Sequence, residues 1–217
     1  MSHYQTLKLK SSDKVIKELS KSRKFRIVLD KAKPINQPGS GNVFNELVKN
    51  IAYQQISYKA ADTVYKKFVS IIEREDYSPK QILLKDYEHL KSAGFSYRKT
   101  DYIVNIANFF EDRKLYKFDW TKLKDQEIID LLSQIKGVGI WTVQMILIFE
   151  LNRPDVFPSL DLAIQYVIKD LYKLQTEKKA LIKEIEKISE DWAPYRTLAS
   201  LYLWGFRRWQ LEQNKSK

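Results

Sequence analysis

Apolar residues along this chain recur at the spacing of a helix. Phe44, Leu47 and Ile51 fall three or four residues apart, which places them on one face of a helix predicted over 43–53. The same spacing returns over 60–72, and the two-residue alternation typical of a half-buried strand is scarce throughout the chain. The pattern therefore predicts an all-α fold.

The most informative stretch runs from Leu131 to Ile164, where a helix, a glycine turn, a nearly all-apolar helix, a Pro-containing loop and a new helix follow one another. The turn is KGVG at 136–139, and its two glycines are free to adopt positive φ and to expose backbone N–H groups. Such N–H groups before a helix suit an anion, and phosphate is the expected one. The apolar helix over 140–149 is predicted to be buried on most sides, and it is too short to span a bilayer.

Composition narrows the class of protein. The 217 residues include 38 Lys and Arg against 27 Asp and Glu, a formal net charge of +11. This balance favours a polyanionic partner, although a lysine-rich solvated surface would carry the same charge. The 44% hydrophobic content indicates a folded protein. The absence of cysteine excludes a disulfide scaffold, a thiolate zinc site and a cysteine-ligated iron–sulfur cluster.

Four ordered segments resemble the helix-hairpin-helix (HhH-GPD) DNA glycosylases, and within them the alkylbase branch of the 3-methyladenine DNA glycosylase II type. They are NVFNELVKNIAYQQISYKAA at 42–61, GFSYRK at 94–99, KGVGIWT followed by RPDVFPSLD within 136–161, and WAPYRTLASLYLW at 192–204. The resemblance implies a two-lobed helical bundle with a cleft for DNA and the flipped base between its lobes. It also implies the domain limits: an N-terminal segment 1–41 that packs on the glycosylase body, a glycosylase domain 42–209 with its hairpin at about 126–151, and a basic tail 210–217.

The resemblance makes Asp161 the candidate catalytic residue. In the family, the aspartate that follows the hairpin stabilises the cationic sugar as the glycosidic bond breaks, and it helps a water molecule approach C1′. This chemistry requires an ionised carboxylate that faces the developing positive charge. The positive end of a helix dipole favours that ionised form. The alternative is that Asp161 is only a helix N-cap, a role worth about 1 kcal/mol.

Trp141 bears on the type of reaction. In lyase-competent relatives the second residue after the hairpin glycine is a lysine that forms a Schiff base with the sugar, so a tryptophan there implies base removal without strand cleavage. The pocket for the flipped base is expected to be aromatic, because stacking and cation–π contacts hold an alkylated purine. Its candidates are Trp141, Trp204, Tyr53 and Tyr202. The two tyrosines are equally consistent with core positions.

The histidine content favours a charged substrate. Expelling a neutral purine usually needs a general acid, whereas a methylated, cationic base leaves readily. The chain has two histidines, His3 and His89, and neither falls in a family motif. An Asp or Glu side chain is the alternative proton donor.

Two loops are expected to contact DNA. The segment at Gln55 and Ile56 resembles the family's loop that enters the minor groove and fills the gap left by the flipped nucleotide, with Gln55 the preferred wedge. The alternative is an ordinary turn with Ile56 in the core. The hairpin amides are expected to bind phosphate. The full set of expected DNA contacts is Gln55, Ile56, Ser57, Arg98, Lys99, Gly137, Val138, Gly139 and Thr142. In the family the hairpin often holds Na⁺ or K⁺ through carbonyl oxygens, here those of Ser133, Ile135 and Val138.

These features predict a monofunctional DNA glycosylase, a hydrolase that cleaves the N-glycosidic bond of alkylated purines such as 3-methyladenine in base excision repair. Its partner would be double-stranded DNA with damaged bases. We expect an intracellular monomer, located in the cytoplasm or nucleoid if the organism is a prokaryote, with no membrane association, no organic cofactor and no iron–sulfur cluster. The alternatives are a glycosylase for another damaged base and a non-catalytic helix-hairpin-helix protein that binds damaged DNA. A generic basic helical protein would not account for four ordered motifs.

Overall fold

A computed structural model describes residues 13–36 and 39–215 of the protein. All regular secondary structure in this part of the chain is helical, which confirms the all-α fold. The helices form two compact units, as predicted. Gly39–Leu151 form the central unit, and residues 13–36 together with 152–215 form the terminal unit.

The helices follow the apolar periodicity of the sequence. In chain order they are α1 (Asp13–Leu19), α2 (Arg23–Lys31), α3 (Val43–Tyr53), α4 (Tyr58–Ile72), α5 (Pro79–Leu83), α6 (Tyr87–Lys91), α7 (Tyr97–Asp112), α8 (Asp125–Leu132), α9 (Ile140–Met145), α10 (Leu162–Tyr172), α11 (Lys178–Ser189) and α12 (Arg196–Lys215). Short 3-10 turns lie at Trp120–Lys122 and Glu190–Trp192, and α9 continues as a π-helical turn at Ile146–Glu150. None of the helices within 13–36 and 39–215 has the length and apolar character needed to cross a membrane.

Three helices of the central unit, α3, α4 and α7, each follow a residue whose side chain caps the helix. Asn42, Ser57 and Ser96 each accept a hydrogen bond from the backbone N–H three residues further on. Each bond satisfies a donor that the first helical turn would otherwise leave unpaired. The caps therefore set where α3, α4 and α7 begin.

Buried aromatic rings form the core of the central unit. Phe44 on α3 has its ring centroid 5.2 Å from that of Phe110 on α7 and 6.0 Å from that of Tyr77. Tyr77 in turn lies 5.4 Å from Phe68 on α4, and all four rings are buried. Helix α7 packs along α3 as a result, and the beginning of α7 lies beside the end of α3.

The terminal unit joins residues of the predicted segment 1–41 to residues of the predicted domain 42–209. Trp192 is its buried aromatic centre, 4.9 Å from Phe25 on α2 and 5.7 Å from Phe157 between ring centroids. Helix α12 packs against both α2 and α10. A Cβ on Gly205 of α12 would lie 1.9 Å from the carbonyl oxygen of Lys33, so this glycine lets the chain that leaves α2 pass directly over α12.

The prediction that the apolar helix over 140–149 is buried on most sides is wrong for its first turn. Ile140 is 49% exposed and Trp141 is 36% exposed, whereas residues 145–148 are buried. The reason is that the first turn follows directly on the glycine turn, which lies at the surface. The predicted basic tail 210–217 is helical as far as Lys215, and its last two residues lie outside the described part of the chain.

Candidate functional site

Asp161 lies at the N-cap of α10, with its carboxylate held by two N–H donors. The backbone N–H of Ile164 donates to Asp161 Oδ1 over 3.0 Å, and the indole Nε1–H of Trp204 donates to the same oxygen over 3.0 Å. Trp204 comes from the middle of α12, which packs against α10. The two donors and the positive end of α10 stabilise the ionised carboxylate and orient it. Asp161 is therefore a cap, but also a partly exposed carboxylate in a defined orientation.

The loop that leads to Asp161 is bonded to the first residues of α12. The Thr197 hydroxyl donates to the Arg153 carbonyl and accepts from the Val156 N–H over 3.0 Å. The Arg196 guanidinium makes two parallel bonds to the Asp155 carboxylate, 2.7 Å from Nε to Oδ1 and 2.8 Å from Nη2 to Oδ2. The hydrogen bond from Arg196 holds the pKa of Asp155 below its usual range. Helix α12 thus holds the loop in place through Arg196 and Thr197, and it also supplies the indole that donates to the carboxylate.

Ser159, two residues before Asp161, is fixed on a second side. Its hydroxyl donates to Glu186 Oε1 over 2.7 Å, and its carbonyl accepts from Gln165 Nε2 over 2.8 Å. The backbone N–H of Asp161 itself donates to the Pro158 carbonyl over 2.9 Å. The segment just before the carboxylate is held by α10 and α11 as well as by α12.

The hairpin turn between α8 and α9 uses its two glycines differently. Gly137 has φ +104°, in the region that favours glycine, and a Cβ on it would lie 2.3 Å from Tyr102 Cγ. Gly139 has φ −96°, so the expectation of positive φ is wrong for this residue. Gly139 is the N-cap of α9, and a Cβ on it would meet no atom within 4 Å. Gly137 therefore allows close packing inside the protein, while Gly139 leaves space for something outside it.

The loop between α3 and α4 presents Gln55 and Ile56 to solvent. Gln55 has φ +60°, and Ile56 is 44% exposed. The alternative that Ile56 is a core residue is thereby excluded. Ser57 ends the loop as the N-cap of α4. An exposed pair at the tip of a short capped loop has the form that a minor-groove wedge requires.

A polar cavity of about 260 Å³ lies where this loop, the beginning of α7 and the hairpin meet. Arg98 is exposed and donates from Nε to the Tyr102 hydroxyl over 2.8 Å. Lys99 is half-buried and donates from Nζ to the Ala52 carbonyl over 2.8 Å. The residues that line the cavity are Gln54, Gln55, Ser96, Arg98, Lys99, Tyr102 and Gly137. The structure brings four of the nine predicted DNA contacts together around this cavity, and two of the four, Arg98 and Lys99, are positively charged.

The chain matches a known protein family in sequence. The family model of the HhH-GPD superfamily base excision DNA repair proteins matches residues 48–194. The chain belongs to the HhH-GPD superfamily. A relative, DNA-3-methyladenine glycosylase 1 of Schizosaccharomyces pombe, is 38% identical over 163 residues, which cover 74% of this chain and 71% of that protein.

Two solved structures have the same HhH-GPD fold. The Schizosaccharomyces pombe 3-methyladenine DNA glycosylase in complex with abasic DNA superposes with a TM-score of 0.75 at 33% identity, covering 88% of this chain and 95% of that one. The DNA-3-methyladenine glycosidase from Bacillus halodurans superposes with a TM-score of 0.80 at 30% identity, covering 94% of this chain and 93% of that one.

The aromatic residues predicted for the base pocket of this HhH-GPD protein are divided between the two units. Trp204 and Tyr202 belong to the terminal unit, where Trp204 bonds to Asp161 and Tyr202 is only 8% exposed. Trp141 and Tyr53 belong to the central unit. Tyr53 lines a groove of about 790 Å³ between α3 and α4 and donates to Asp62 over 3.4 Å. Burial raises its pKa to about 12, helped by the charge of Asp62.

The predicted cation site lies in the hairpin turn of the superfamily motif. Ser133 is the C-cap of α8, and the carbonyl of Ile135 already accepts the Val138 N–H over 3.0 Å. The Ser133 hydroxyl oxygen is buried without a hydrogen-bond partner. Carbonyl and hydroxyl oxygens are the ligands that hard cations prefer. The donor set of this turn therefore fits a monovalent cation.

Several residues that shape the site do not stand out in the sequence. Arg196, Thr197 and Ser159 hold the segment before Asp161, and Tyr102 packs on Gly137. Arg196 and Thr197 fall inside the WAPYRT segment, so the motif pointed to their position but not to their role. Tyr102 follows the GFSYRK turn and has the spacing of an ordinary half-buried helix residue.

Proposed function

We propose that this protein is a monofunctional DNA glycosylase that hydrolyses the N-glycosidic bond of alkylated purines, of the 3-methyladenine type, in base excision repair. The observation that carries the proposal is the Asp161 carboxylate, partly exposed and oriented by the Ile164 N–H and the Trp204 indole. A carboxylate in that state is the group that a cationic sugar transition state requires. The sequence relatives named for 3-methyladenine favour an alkylated base as the substrate.

In the proposed reaction the C1′–N bond breaks and the base leaves with the bonding electrons, which neutralises its positive charge. Asp161 stabilises the positive charge that develops on the sugar. A water oxygen then bonds to C1′ and loses a proton to solvent. The products are the free base and an abasic site, with the phosphodiester backbone intact.

The absence of strand cleavage is part of the proposal. Trp141 occupies the place where lyase-competent relatives have their Schiff-base lysine, and Trp141 carries no amine. Lys136 precedes both glycines and is assigned to phosphate or solvent. Trp141, Trp204, Tyr53 and Tyr202 remain the candidate aromatic contacts for the base. His89 is exposed on α6, and His3 lies outside the described residues.

DNA would be held mainly through its phosphates. The amides at Gly137 and Gly139 and the side chain of Arg98 are the proposed contacts, with Val138 and Thr142 beside them in the hairpin. A monovalent cation held by the carbonyls of the hairpin turn would add positive charge at the same place. The DNA substrate implies an intracellular protein, and we propose that it acts as a monomer on double-stranded DNA with damaged bases.

The test is base release from methylated duplex DNA by the wild type and by Asp161→Asn. Asparagine keeps an Oδ1 acceptor for both donors and is an equally good N-cap, so the fold and DNA binding should survive. We expect free 3-methyladenine from the wild type only, and nicks only after alkali treatment. A fully active Asp161→Asn enzyme would show that Asp161 is only a helix N-cap and not a catalytic residue. Binding to damaged DNA without base release by either protein would favour the non-catalytic alternative, and nicks before alkali would overturn the monofunctional assignment.

A further inference from the structure

Lys99 makes a contact inside the protein that a phosphate ligand would not need. Its ammonium group donates to the Ala52 carbonyl over 2.8 Å, and Ala52 is fully buried in the last turn of α3. The last carbonyls of a helix have no partner within the helix, and a cation at that end interacts favourably with the helix dipole. Partial burial of the ammonium lowers the pKa of Lys99.

The segment that Lys99 holds leads straight into the predicted DNA-probing loop. Helix α3 ends one residue after Ala52, and Gln55 follows with φ +60° and an exposed side chain. A non-glycine residue in the left-handed region costs about 1–2 kcal/mol and persists only where its surroundings determine it. The way α3 ends therefore decides the direction in which Gln55 and Ile56 project.

The same turn of α7 also contacts the hairpin. Tyr102, three residues after Lys99, packs its ring so closely on Gly137 that a Cβ there would lie 2.3 Å from Tyr102 Cγ. Arg98 donates to the Tyr102 hydroxyl over 2.8 Å. The beginning of α7 is thus in contact with the end of α3 through Lys99 and with the hairpin through Tyr102.

We propose that Lys99 is a positioning residue for the DNA-probing loop and not a phosphate ligand. Through Lys99 and Tyr102, α7 sets the spacing between the segment that enters the minor groove and the segment that holds the backbone. The inference rests on the proposed function, since it gives the loop its role. Arg98, exposed and one residue away, is the phosphate contact of this pair.

The neighbouring positive charges provide a matched test, Lys99→Gln against Arg98→Gln in the full-length protein. The first measurement is the affinity for a duplex that contains a tetrahydrofuran abasic-site analogue, as a function of salt. Each phosphate contact contributes about 0.9 to the slope of log affinity against log salt. We expect Arg98→Gln to lower the slope by about that amount and Lys99→Gln to leave it unchanged.

The second measurement is base flipping, followed by the fluorescence of 2-aminopurine placed beside the damaged nucleotide. We expect Lys99→Gln to lower the signal at saturating protein, and to lower the equilibrium constant for flipping that it reports by about tenfold, the factor associated with losing one hydrogen bond from a charged donor. Arg98→Gln should leave the signal at saturation near that of the wild type. Lys99→Arg, which keeps a cationic donor, should restore part of it.

The proposal is overturned if Lys99→Gln lowers the salt slope, or if the flipping signal at saturation is unaffected. Circular dichroism and thermal unfolding of each variant separate these outcomes from misfolding, and Lys99→Met serves as a second variant of similar length. Both readouts are independent of base release. A protein that binds and flips without releasing a base would contradict the proposed function and leave the role of Lys99 standing.

Discussion

The bond between Trp204 and Asp161 offers the most direct test of the site. Replacing Trp204 by phenylalanine keeps an aromatic ring and removes the Nε1–H that donates to Asp161 Oδ1 over 3.0 Å, together with the second ring of the indole. The Ile164 N–H continues to donate to the same oxygen, so the cap of α10 is preserved. The substitution therefore perturbs the orientation and charge stabilisation of the carboxylate more than the fold.

The size of the effect follows from the kind of bond. A hydrogen bond to a charged group contributes about 1.5–3 kcal/mol, and the low end applies here because both partners are only partly buried. A loss of about 1.5–2 kcal/mol in transition-state stabilisation corresponds to a rate about 13- to 30-fold lower. We expect the unfolding temperature and the affinity for abasic-site DNA to change little.

The assay is single-turnover release of 3-methyladenine from methylated duplex DNA, with enzyme in excess. The control is the affinity of Trp204→Phe for a duplex with an abasic-site analogue, which should stay near that of the wild type because the bond to Asp161 lies within the protein. A wild-type rate for Trp204→Phe would show that the bond does not matter for catalysis. A loss of rate that is matched by an equal loss of that affinity would show that Trp204 acts through DNA binding and not through Asp161.

Three further expectations concern stability. Thr197→Val removes the hydroxyl that accepts a hydrogen bond from the buried Val156 N–H, and it should lower the free energy of unfolding by about 1–3 kcal/mol. Thr197→Ser keeps the hydroxyl and should unfold thermally near the wild type. Gly137→Ala should destabilise the protein by about 1–3 kcal/mol through its φ of +104° and the 2.3 Å overlap, while Gly139→Ala, with open space around it, should unfold close to the wild type but bind DNA more weakly. Arg196 lowers the pKa of Asp155, so the ionised carboxylate stabilises the folded protein. The difference in free energy of unfolding between the wild type and Asp155→Asn should therefore have its full value above about pH 4 and decrease as the pH falls further. A difference that increases in acid would contradict this expectation.

The fold could be predicted from the sequence because its signals are local. The apolar spacing at Phe44, Leu47 and Ile51 acts within a few residues, and α3 begins and ends where it predicts. Helix α4 begins at Tyr58, two residues before the predicted range, because Ser57 caps it. The order of the four motifs then predicted the family, which the comparison confirmed.

The site was predicted less completely, because its geometry depends on residues far apart in sequence. The position of Asp161 at a helix start is local, but its bond to Trp204 spans 43 residues, and the Lys99 bond to Ala52 spans 47. Periodicity carries no information about such pairs. The π-helical turn after α9 and the exposed first turn of that helix likewise depend on packing that a hydrophobic pattern does not specify.

The terminal unit is built from two stretches of chain that are separated by the central unit, and this has a consequence for biosynthesis. Gly39–Leu151 leave the ribosome as one continuous stretch, so the central unit can fold while translation continues. The terminal unit cannot close until α12 has been made, because Gly205, Thr197 and Trp204 all belong to that last helix. Newly made chains therefore pass through an interval in which the α3–α4 loop and the hairpin are complete and the Asp161 carboxylate lacks its Trp204 donor. Ribosome-bound chains that stop before Trp204 would be expected to retain DNA without acting on it.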